Sequence, residues 1–285
     1  MFVNGRDCSI VVKTAYREFD VPYCDETLRE AVSLLVEEAA IEGNGVRGAV
    51  RKSSGVTGCV VTPLTIATAP CLLYLAFGFA GNLEFVSETR NLYRYHLSLL
   101  PMEDTERFDL TQDRGGQRRL FEGCRIKGFE LRATRGQDIK LKLDIRGERP
   151  PAVYPCADTF GREYGERFSG DYITYKINGQ EYQTIYGITL ASKKEGGAKT
   201  ELWVKRVLHT APDLPQIIDE FSFTARLLSD GYEHRRFGAF RVTLKRLVLV
   251  SDETNVNSHD AVIGPLRFYA AGAVSAEVFE SGEEA

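Results

Sequence analysis

Basic residues are not in excess in this chain of 285 residues, where 36 Lys and Arg stand against 40 Asp and Glu. Proteins that hold nucleic acid through its phosphates usually carry a clear basic excess, so such a role is disfavoured. Long apolar runs are also lacking, because Ile66 to Ala80 is shorter than the roughly 20 residues that span a bilayer. Residues 1–7 show no basic stretch followed by an apolar run, so we expect a soluble protein made in a cytoplasm.

Spacings typical of metal sites are missing as well. The six cysteines form no Cys-x-x-Cys pair, and no histidine lies near them at zinc-finger spacing. We expect the cysteines to be reduced and mostly buried, and each histidine to lie at the surface or in an interface. The residues concerned are Cys8, Cys24, Cys59, Cys71, Cys124 and Cys156, and His96, His209, His234 and His259. The sequence predicts no metal and no cofactor.

Catalytic motifs are also absent. Gly43 to Gly48 match the spacing of a dinucleotide-binding loop, but that loop follows a strand and opens a helix. Ser258 to Asp260 read Ser-His-Asp, yet the members of a catalytic triad converge from separate segments. No Walker-type lysine motif and no Gly-x-Ser-x-Gly elbow is present. We therefore predict no catalytic residue and no enzymatic activity.

Alternation of apolar and polar residues is the dominant pattern, and it indicates strands with one buried face. In Ile139 to Ile145, four apolar residues alternate with three charged ones. Ile173 to Ile177 repeat the pattern and run into Asn178-Gly179, the pair that tight hairpins prefer. A second hairpin is predicted around Lys194 to Gly197, and further strands at 221–227 and 242–245. The prediction is a mainly β, antiparallel sandwich or barrel.

Two segments fit short helices. Glu26 to Glu42 place apolar residues on one helical face, with Asp25 as N-cap and Gly43 to Gly45 as the stop. Pro70 to Phe77 read as a buried helix, since Pro suits the first turn and Gly78 the residue after the last.

A domain boundary is predicted where three prolines fall between residues 150 and 155, because proline ends strands and stiffens connectors. The expected domains are residues 1–150, a β domain with a helix, and 151–285, a second β domain. The polar residues 158–170 would lengthen this linker. Strand pairs at 126–131 with 139–145, and at 242–250 with 273–279, close the two halves and suggest an internal duplication.

Two basic clusters and one tryptophan are candidate contact residues. Arg114 to Arg119 and Glu233 to Arg236 fit either solvated loops or contacts with DNA or an acidic partner. Acidic neighbours such as Asp113 and Glu122 favour ion pairs between subunits. Trp203 should lie on the face opposite Leu202 and Val204. It is then either exposed, where it can stack on a sugar or anchor an interface, or covered by other residues.

The first 150 residues contain motifs that resemble the N-terminal half of tail tube (major tail) proteins of long-tailed bacteriophages. After an acidic residue at Glu38 come Val46-Arg47-Gly48, Ser54-Gly55-Val56-Thr57-Gly58, Thr62-Pro63-Leu64 and Leu75-Ala76-Phe77-Gly78. Phe121 to Leu131 resemble the strand of that family that opens tyrosine-x-Gly-Cys, and Asp138 to Gly147 resemble its companion strand. The second half, ending at Ala273 to Phe279, is compatible with longer members of the group.

The resemblance implies a sandwich or barrel flanked by a helix, in subunits that stack as rings around a channel. Sheets of neighbouring subunits would line that channel, with an acidic wall past which DNA slides as a transient passenger. Residues 26–42 would then form an inter-subunit arm instead of a helix. One tube domain per chain implies hexameric rings and two imply trimeric rings. The partners would be further copies and other tail proteins, with no membrane, and the location would be the virion.

Two other functions fit the same pattern. A carbohydrate-binding β-sandwich would use Trp203 or the tyrosine-rich region from Tyr154 to Tyr186 to stack on sugars. A hub or terminator of the same tail would share the self-associating β architecture. An enzyme on a β scaffold has the least support, since no nucleophile and base are paired in the sequence.

Overall fold

The structure is a computed structural model that describes residues 8–36, 49–87, 92–114, 116–155, 165–207, 214–228, 237–252 and 262–281. It is mainly β and antiparallel, which confirms the fold class predicted from the alternating pattern. The strands are β1 (Cys8–Lys13), β2 (Glu18–Val21), β3 (Asp25–Glu26), β4 (Arg29–Val36), β5 (Ala49–Pro63), β6 (Phe79–Ser87), β7 (Leu92–Ser98), β8 (Phe108–Arg114), β9 (Gln117–Thr134), β10 (Lys140–Gly147), β11 (Ala152–Pro155), β12 (Ile173–Ile177), β13 (Gln180–Glu181), β14 (Ile185–Lys193), β15 (Lys199–Val207), β16 (Ile217–Leu228), β17 (Phe237–Asp252), β18 (Val262–Ala270) and β19 (Val274–Ser281).

The chain forms two compact units, each assembled from three segments. The first comprises Met1–Val60, Arg107–Arg125 and Asp144–Arg162, and the second comprises Val61–Glu106, Ile126–Leu143 and Glu163–Ala285. These segments interleave along the chain, whereas the sequence-based prediction divides it once, at residue 150.

In the first unit, β1 pairs with β2 and β8, and β9 pairs with both β8 and β11. Two glycines explain the Gly-x-x-Gly spacing at residues 55–58. Gly55 has φ 110°, and a Cβ there would lie 2.1 Å from the carbonyl oxygen of Gly147. Gly58 has φ 152°, and its Cβ would lie 2.4 Å from the carbonyl oxygen of Thr27. Only glycine fits such close backbone approaches.

The helix predicted over Glu26 to Glu42 is wrong for the residues that the structure describes. Residues 25–26 and 29–36 are strands β3 and β4, and Arg29–Val36 pairs with residues of β5 from Thr57 back to Ala49. The apolar spacing fits a helix, but a long-range partner strand can override a local pattern by satisfying the backbone hydrogen bonds. Residues 37–42 and the glycines Gly43 to Gly48 lie outside the described residues.

The proline-rich segment is a strand and not only a connector. Strand β10 ends at Gly147 as predicted, but Ala152–Pro155 forms β11 and pairs with Leu120 to Gln117 of β9. Proline is tolerated at such a strand end because it need not donate to the sheet. Of the polar stretch 158–170, residues 158–164 lie outside the described part, while Phe168 is buried.

The helix predicted over Pro70 to Phe77 is confirmed as α1 (Ala69–Phe77), which has proline in its first turn and ends at Gly78. It lies in the second unit, and six of its nine residues are buried. No helix in the described part of the chain has the length and apolar character needed to cross a membrane.

One layer of the second unit, here named sheet 1, has the strand order β12–β16–β17–β19–β7–β6. The hairpin predicted at Asn178-Gly179 joins β12 to β13, and both residues have positive φ, at 49° and 83°. Those angles are what a two-residue hairpin turn requires.

A second layer, here named sheet 2, has the order β10–β9–β14–β15–β18–β17–β16. The predicted hairpin around Lys194 to Gly197 joins β14 to β15, with Lys193 opposite Lys199. Ile139, Leu141, Leu143 and Ile145 are all buried, as their alternation predicts. Strands β16 and β17 belong to both layers, because Phe221–Ala225 pair within sheet 1 and Ile217–Ile218 within sheet 2.

The inner faces of both layers form an aromatic core. Phe240 stacks edge-on against Phe168 at 5.2 Å and against Phe223 at 6.2 Å between ring centroids. Phe77 of α1 packs on Phe129 of β9 with centroids 5.0 Å apart. These rings have no exposed surface above 2%, so their burial is a main source of stability for this unit.

Candidate functional site

The outer face of sheet 1 is a polar surface with a groove over it. Its strands alternate, so the residues on either side of each outward position point into the core. Across the sheet, the inner row Tyr175, Phe223, Val242, Ala276 and Leu97 is fully buried. The rows beside it point outward and are hydrophilic.

One outward row consists of hydroxyl side chains. In register across four strands lie Ser222, Thr243, Ser275 and Ser98, with Lys176 at the β12 end of the row. Hydroxyl groups both donate and accept hydrogen bonds, so the row can bind water or a polar ligand whichever way the ligand's groups point.

The next outward row is charged. Arg241 donates to the hydroxyl of Thr224 at 3.2 Å and to Glu277 at 3.4 Å. Glu277 also lies 3.5 Å from Nδ1 of His96 and 3.6 Å from Nη1 of Arg94. One carboxylate on β19 therefore faces cationic groups of both neighbouring strands, the cross-strand arrangement that stabilises sheets.

Glu84 on β6 closes the network. It accepts hydrogen bonds from Arg94, and its Oε2 lies 3.3 Å from Nε2 of His96. The hydrogen bond from Arg94 lowers the pKa of Glu84, and the contact with His96 lowers it further. Both ring nitrogens of His96 thus face carboxylates, so this histidine is not placed to activate Ser98 or Ser275 as a nucleophile.

A groove of about 460 Å³ runs over these rows. Its walls add Glu220, which forms an ion pair with Lys245, and its floor includes the hydroxyl row. Cations and anions alternate along it, so it has little net charge with which to grip a polyanion. The geometry suits water, a polar ligand or a passing hydrophilic polymer.

Trp203 lies where the pattern places it, on the outer face of sheet 2 between the buried Leu202 and Val204. It is half-buried, and the guanidinium of Arg267 lies 5.6 Å from its ring centroid. Arg267 is in turn bound to Glu201 at 2.6 Å. The ring face that a sugar would use is therefore taken by Arg267.

The exposed tyrosines that the structure describes in the tyrosine-rich region are divided between the two units. Tyr154 and Tyr172 are exposed, at 51% and 66%, but they belong to different units. Tyr175 points into the core, and burial raises the pKa of its hydroxyl.

Of the four histidines, only His96 lies in the described part of the chain, partly exposed as predicted. His209, His234 and His259 lie outside it, as do Ser258 to Asp260 and the cluster Glu233 to Arg236. Across the described ranges, no group of three or more His, Cys, Asp and Glu could hold a metal ion.

The basic cluster Arg114 to Arg119 belongs to a hairpin between β8 and β9. Arg118 binds both carboxylate oxygens of the buried Asp113 at 2.8 Å, and the two residues lie directly opposite each other. The sequence analysis expects ion pairs between subunits, whereas the pair of Arg118 with Asp113 is formed within one chain.

The prediction that the cysteines are mostly buried is wrong for the four whose surroundings the structure describes. Cys124 is buried, and burial raises the pKa of its thiol to about 12, with the nearby Asp109 adding to the effect. Cys59 and Cys71 are half-buried and Cys24 is exposed. All four are thiols rather than disulfides, as expected.

Sequence reasoning did not predict the burial of Lys194. Lys194, in the β14–β15 turn, has no exposed surface, and its amine donates to the carbonyl oxygens of Ala76 and Phe77 at 2.5 and 3.0 Å. Burial lowers the pKa of this amine to about 7. Its neighbours in sequence are Lys193 and Glu195, so the turn resembles a solvated charged loop, and no local signal points inward.

No protein-family model matches this chain, and no curated protein matches it either.

Proposed function

We propose that the chain is a structural subunit of a bacteriophage-like tail tube, which stacks as rings around a central channel. In this proposal, the polar face of sheet 1 lines the channel. The observation that supports it is that face, where a hydroxyl row lies beside a row of paired charges on an antiparallel sheet.

The resemblance implies an acidic channel wall that repels DNA. The face of sheet 1 instead carries cations that are paired with carboxylates, and this arrangement also suits DNA passage. The cations Arg94, Arg241 and Lys245 are each bound to a carboxylate of the same face. A phosphate that passes them meets groups already neutralised by neighbours, so the attraction that holds DNA on a basic surface is reduced. Hydroxyl groups keep the wall hydrated.

The edge of sheet 1 also favours lateral association. Among the described strands of sheet 1, β6 is the last in the order and pairs with β7. Open strand edges pair readily with other chains unless they are blocked. Joining such edges around a ring would turn separate sheets into one continuous wall.

The hairpin of β4 and β5 supports the alternative prediction for residues 26–42. Its two strands pair from Arg29 opposite Thr57 to Val36 opposite Ala49. Extended hairpins of this kind are suited to reach a neighbouring subunit, as the resemblance implies for this segment.

Negative-stain electron microscopy of the purified protein over a concentration series tests the proposal. We expect rings or tubes with a central hole wide enough for duplex DNA, and the images would also show threefold or sixfold symmetry. Discrete monomers at every concentration, with sedimentation velocity giving a single monomeric species, would contradict it.

The groove favours one second candidate, a module that binds a polar ligand such as a carbohydrate. Its volume and hydroxyl floor fit a sugar that exchanges hydrogen bonds with Ser, Thr, Arg and Glu. A glycan screen would test this, with Arg241→Ala in the groove and Trp203→Ala on sheet 2 as matched variants. Binding lost only in Arg241→Ala would place the ligand in the groove.

A further inference from the structure

Four exposed apolar side chains lie together on the outer face of sheet 2, and we name them the apolar strip. Ile217, Val248 and Tyr269 are opposite one another on β16, β17 and β18, and Val250 lies two residues along β17. Their exposed fractions are 60%, 37%, 37% and 55% in that order. The residues beside them on the same strands, Ile218, Leu247 and Phe268, are completely buried.

Folding of the sheet does not require this strip. One exposed apolar residue is normal on any protein, but a contiguous group across three strands, with polar residues around it, marks a surface that another molecule covers. Polar residues would serve equally well at these positions if the face met only water.

The rest of the same face is basic. Within the second unit, seven Lys and Arg and two Glu point outward from β10, β9, β14, β15 and β18, which gives a formal charge of +5 on a chain whose total is −4. The remainder of the chain therefore sums to −9. The basic residues are Arg132, Lys140, Lys142, Lys193, Lys199, Lys205 and Arg267, and the acidic ones are Glu130 and Glu201.

We propose that the outer face of sheet 2 docks a second copy of this chain, with the apolar strip as the centre of the contact. A second copy carries the complementary negative charge outside this face, and complementary charge guides and orients association. The aliphatic residues Ile217, Val248 and Val250 favour a protein surface over nucleic acid, which presents phosphates and stacked bases instead.

The size of the strip favours a repeated contact over an isolated dimer. A stable pair of proteins buries about 800 Å² on each partner, and four side chains supply only part of that area. Weak contacts become effective when each subunit makes several of them at once. The inference thus rests on the proposed ring assembly, for which it names one contact surface.

Site-specific photocrosslinking tests the contact directly. We would place the photoreactive residue p-benzoylphenylalanine at Val250, and at Lys13, an exposed position on β1 of the first unit, as the matched control. We expect covalent dimers and larger species from position 250 and not from position 13, with the linked peptides mapping to an acidic surface of the second copy. Crosslinks to nucleic acid, or none to protein, would overturn the proposal.

A paired polar variant tests its energetic role. We expect Ile217→Ser with Val250→Ser to raise the concentration needed for assembly at least tenfold, while circular dichroism and the melting temperature show a folded chain. Lys13→Ser, at an exposed position on β1 outside both sheets, should leave assembly unchanged.

The two proposals fail separately in these experiments. Normal rings from the double variant, together with no crosslink at position 250, would overturn this inference and leave the ring assembly standing. Crosslinked copies from position 250 without rings or tubes would support the inference and contradict the ring assembly. If the double variant does not fold, the crosslinking result decides.

Discussion

Strands β16 and β17 contribute to the outer faces of both sheet 1 and sheet 2, yet the residues that they expose differ between the two faces. Those on sheet 1 are polar or charged, and those on sheet 2 are apolar. On β17, Arg241 and Thr243 point outward into a network of ion pairs and hydroxyls, whereas Val248 and Val250 point outward into an apolar strip. On their inner faces both layers use the same kind of residue, buried Phe, Leu, Ile and Val. The core therefore constrains the residues on only one face of each strand. The residues on the other face can vary with the solvent, ligand or protein that this face contacts.

The change of chemistry along β17 coincides with a break in its geometry. Arg246 has φ 51°, an unusual value for a residue with a side chain, and both Lys245 and Arg246 are exposed in succession. Such an irregularity lets one strand leave one layer and join another. The two faces are thus separated by a bend in the strand.

Removing the core that both faces share should have the largest effect. We expect Phe240→Ala to lower the free energy of unfolding by about 3–5 kcal/mol, because the cavity it leaves lies between Phe168 and Phe223. Urea denaturation measures the change. Tyr269→Ala, on the apolar strip, is the matched control and should change the stability of the monomer by less than about 1 kcal/mol. Equal losses would mean that the strip is part of the core.

Burial of Lys194 makes the stability of the second unit depend on pH above neutrality. In the folded chain the pKa of its amine is about 7, against an ordinary 10.5. Between these pH values the unfolded chain binds a proton that the folded chain does not. Stability should therefore rise as pH increases from about 7 to 10.5, with a total change of a few kcal/mol at ~1.4 kcal/mol for each pH unit.

Urea denaturation at several pH values between 6 and 10 checks this dependence. We expect Lys194→Met to lose the rise with pH, and to be less stable than the wild type at high pH, where two carbonyl groups at the end of α1 lose their donor. Lys193→Met, one residue away and exposed, should follow the wild type. Parallel curves for the wild type and Lys194→Met would show that the amine is not buried in solution.

The bend in β17 can be tested with a smaller change. Glycine adopts positive φ without steric cost, so we expect Arg246→Gly to stabilise the chain by about 0.5–1 kcal/mol in thermal denaturation. Arg246→Val should destabilise it by more than that, since β-branched residues resist this conformation. A loss of stability in Arg246→Gly would mean that the arginine side chain contributes more than its backbone angle costs.

Much of the fold could be predicted from local patterns. Alternation identified the strands at 139–145 and 173–177, and Asn178-Gly179 identified a hairpin, because those structures depend on neighbours in sequence. The helix over 26–42 failed since its apolar spacing suits a helix, while the partner that makes Arg29–Val36 a strand begins thirteen residues after Val36, at Ala49. The strand at Ala152–Pro155 was not predicted for the same reason, because its partner strand β9 is distant in sequence.

The polar face of sheet 1 could not be predicted from sequence, although its members are ordinary polar residues. Arg241, Glu277 and His96 meet because three strands pair in one register, although their positions in the sequence extend from residue 96 to residue 277. Alternation within one strand can indicate which residues point outward, but it does not indicate which strands are neighbours. Lys194 was missed because its acceptors belong to a helix more than a hundred residues earlier in the chain.

The ion pair at the centre of the polar face should contribute least to stability. Arg241 and Glu277 are partly exposed, and pairs of that kind are typically worth about 0.2–1 kcal/mol. A double-mutant cycle with Arg241→Met and Glu277→Gln, measured by urea denaturation at low and high salt, should give a coupling within that range that shrinks with salt. A coupling above about 2 kcal/mol would instead indicate that the face is shielded from water in the isolated chain. A small coupling would agree with the comparison of the two faces. If the charge network contributes little to folding, the core does not dictate these residues, and what the outer face contacts can determine them instead.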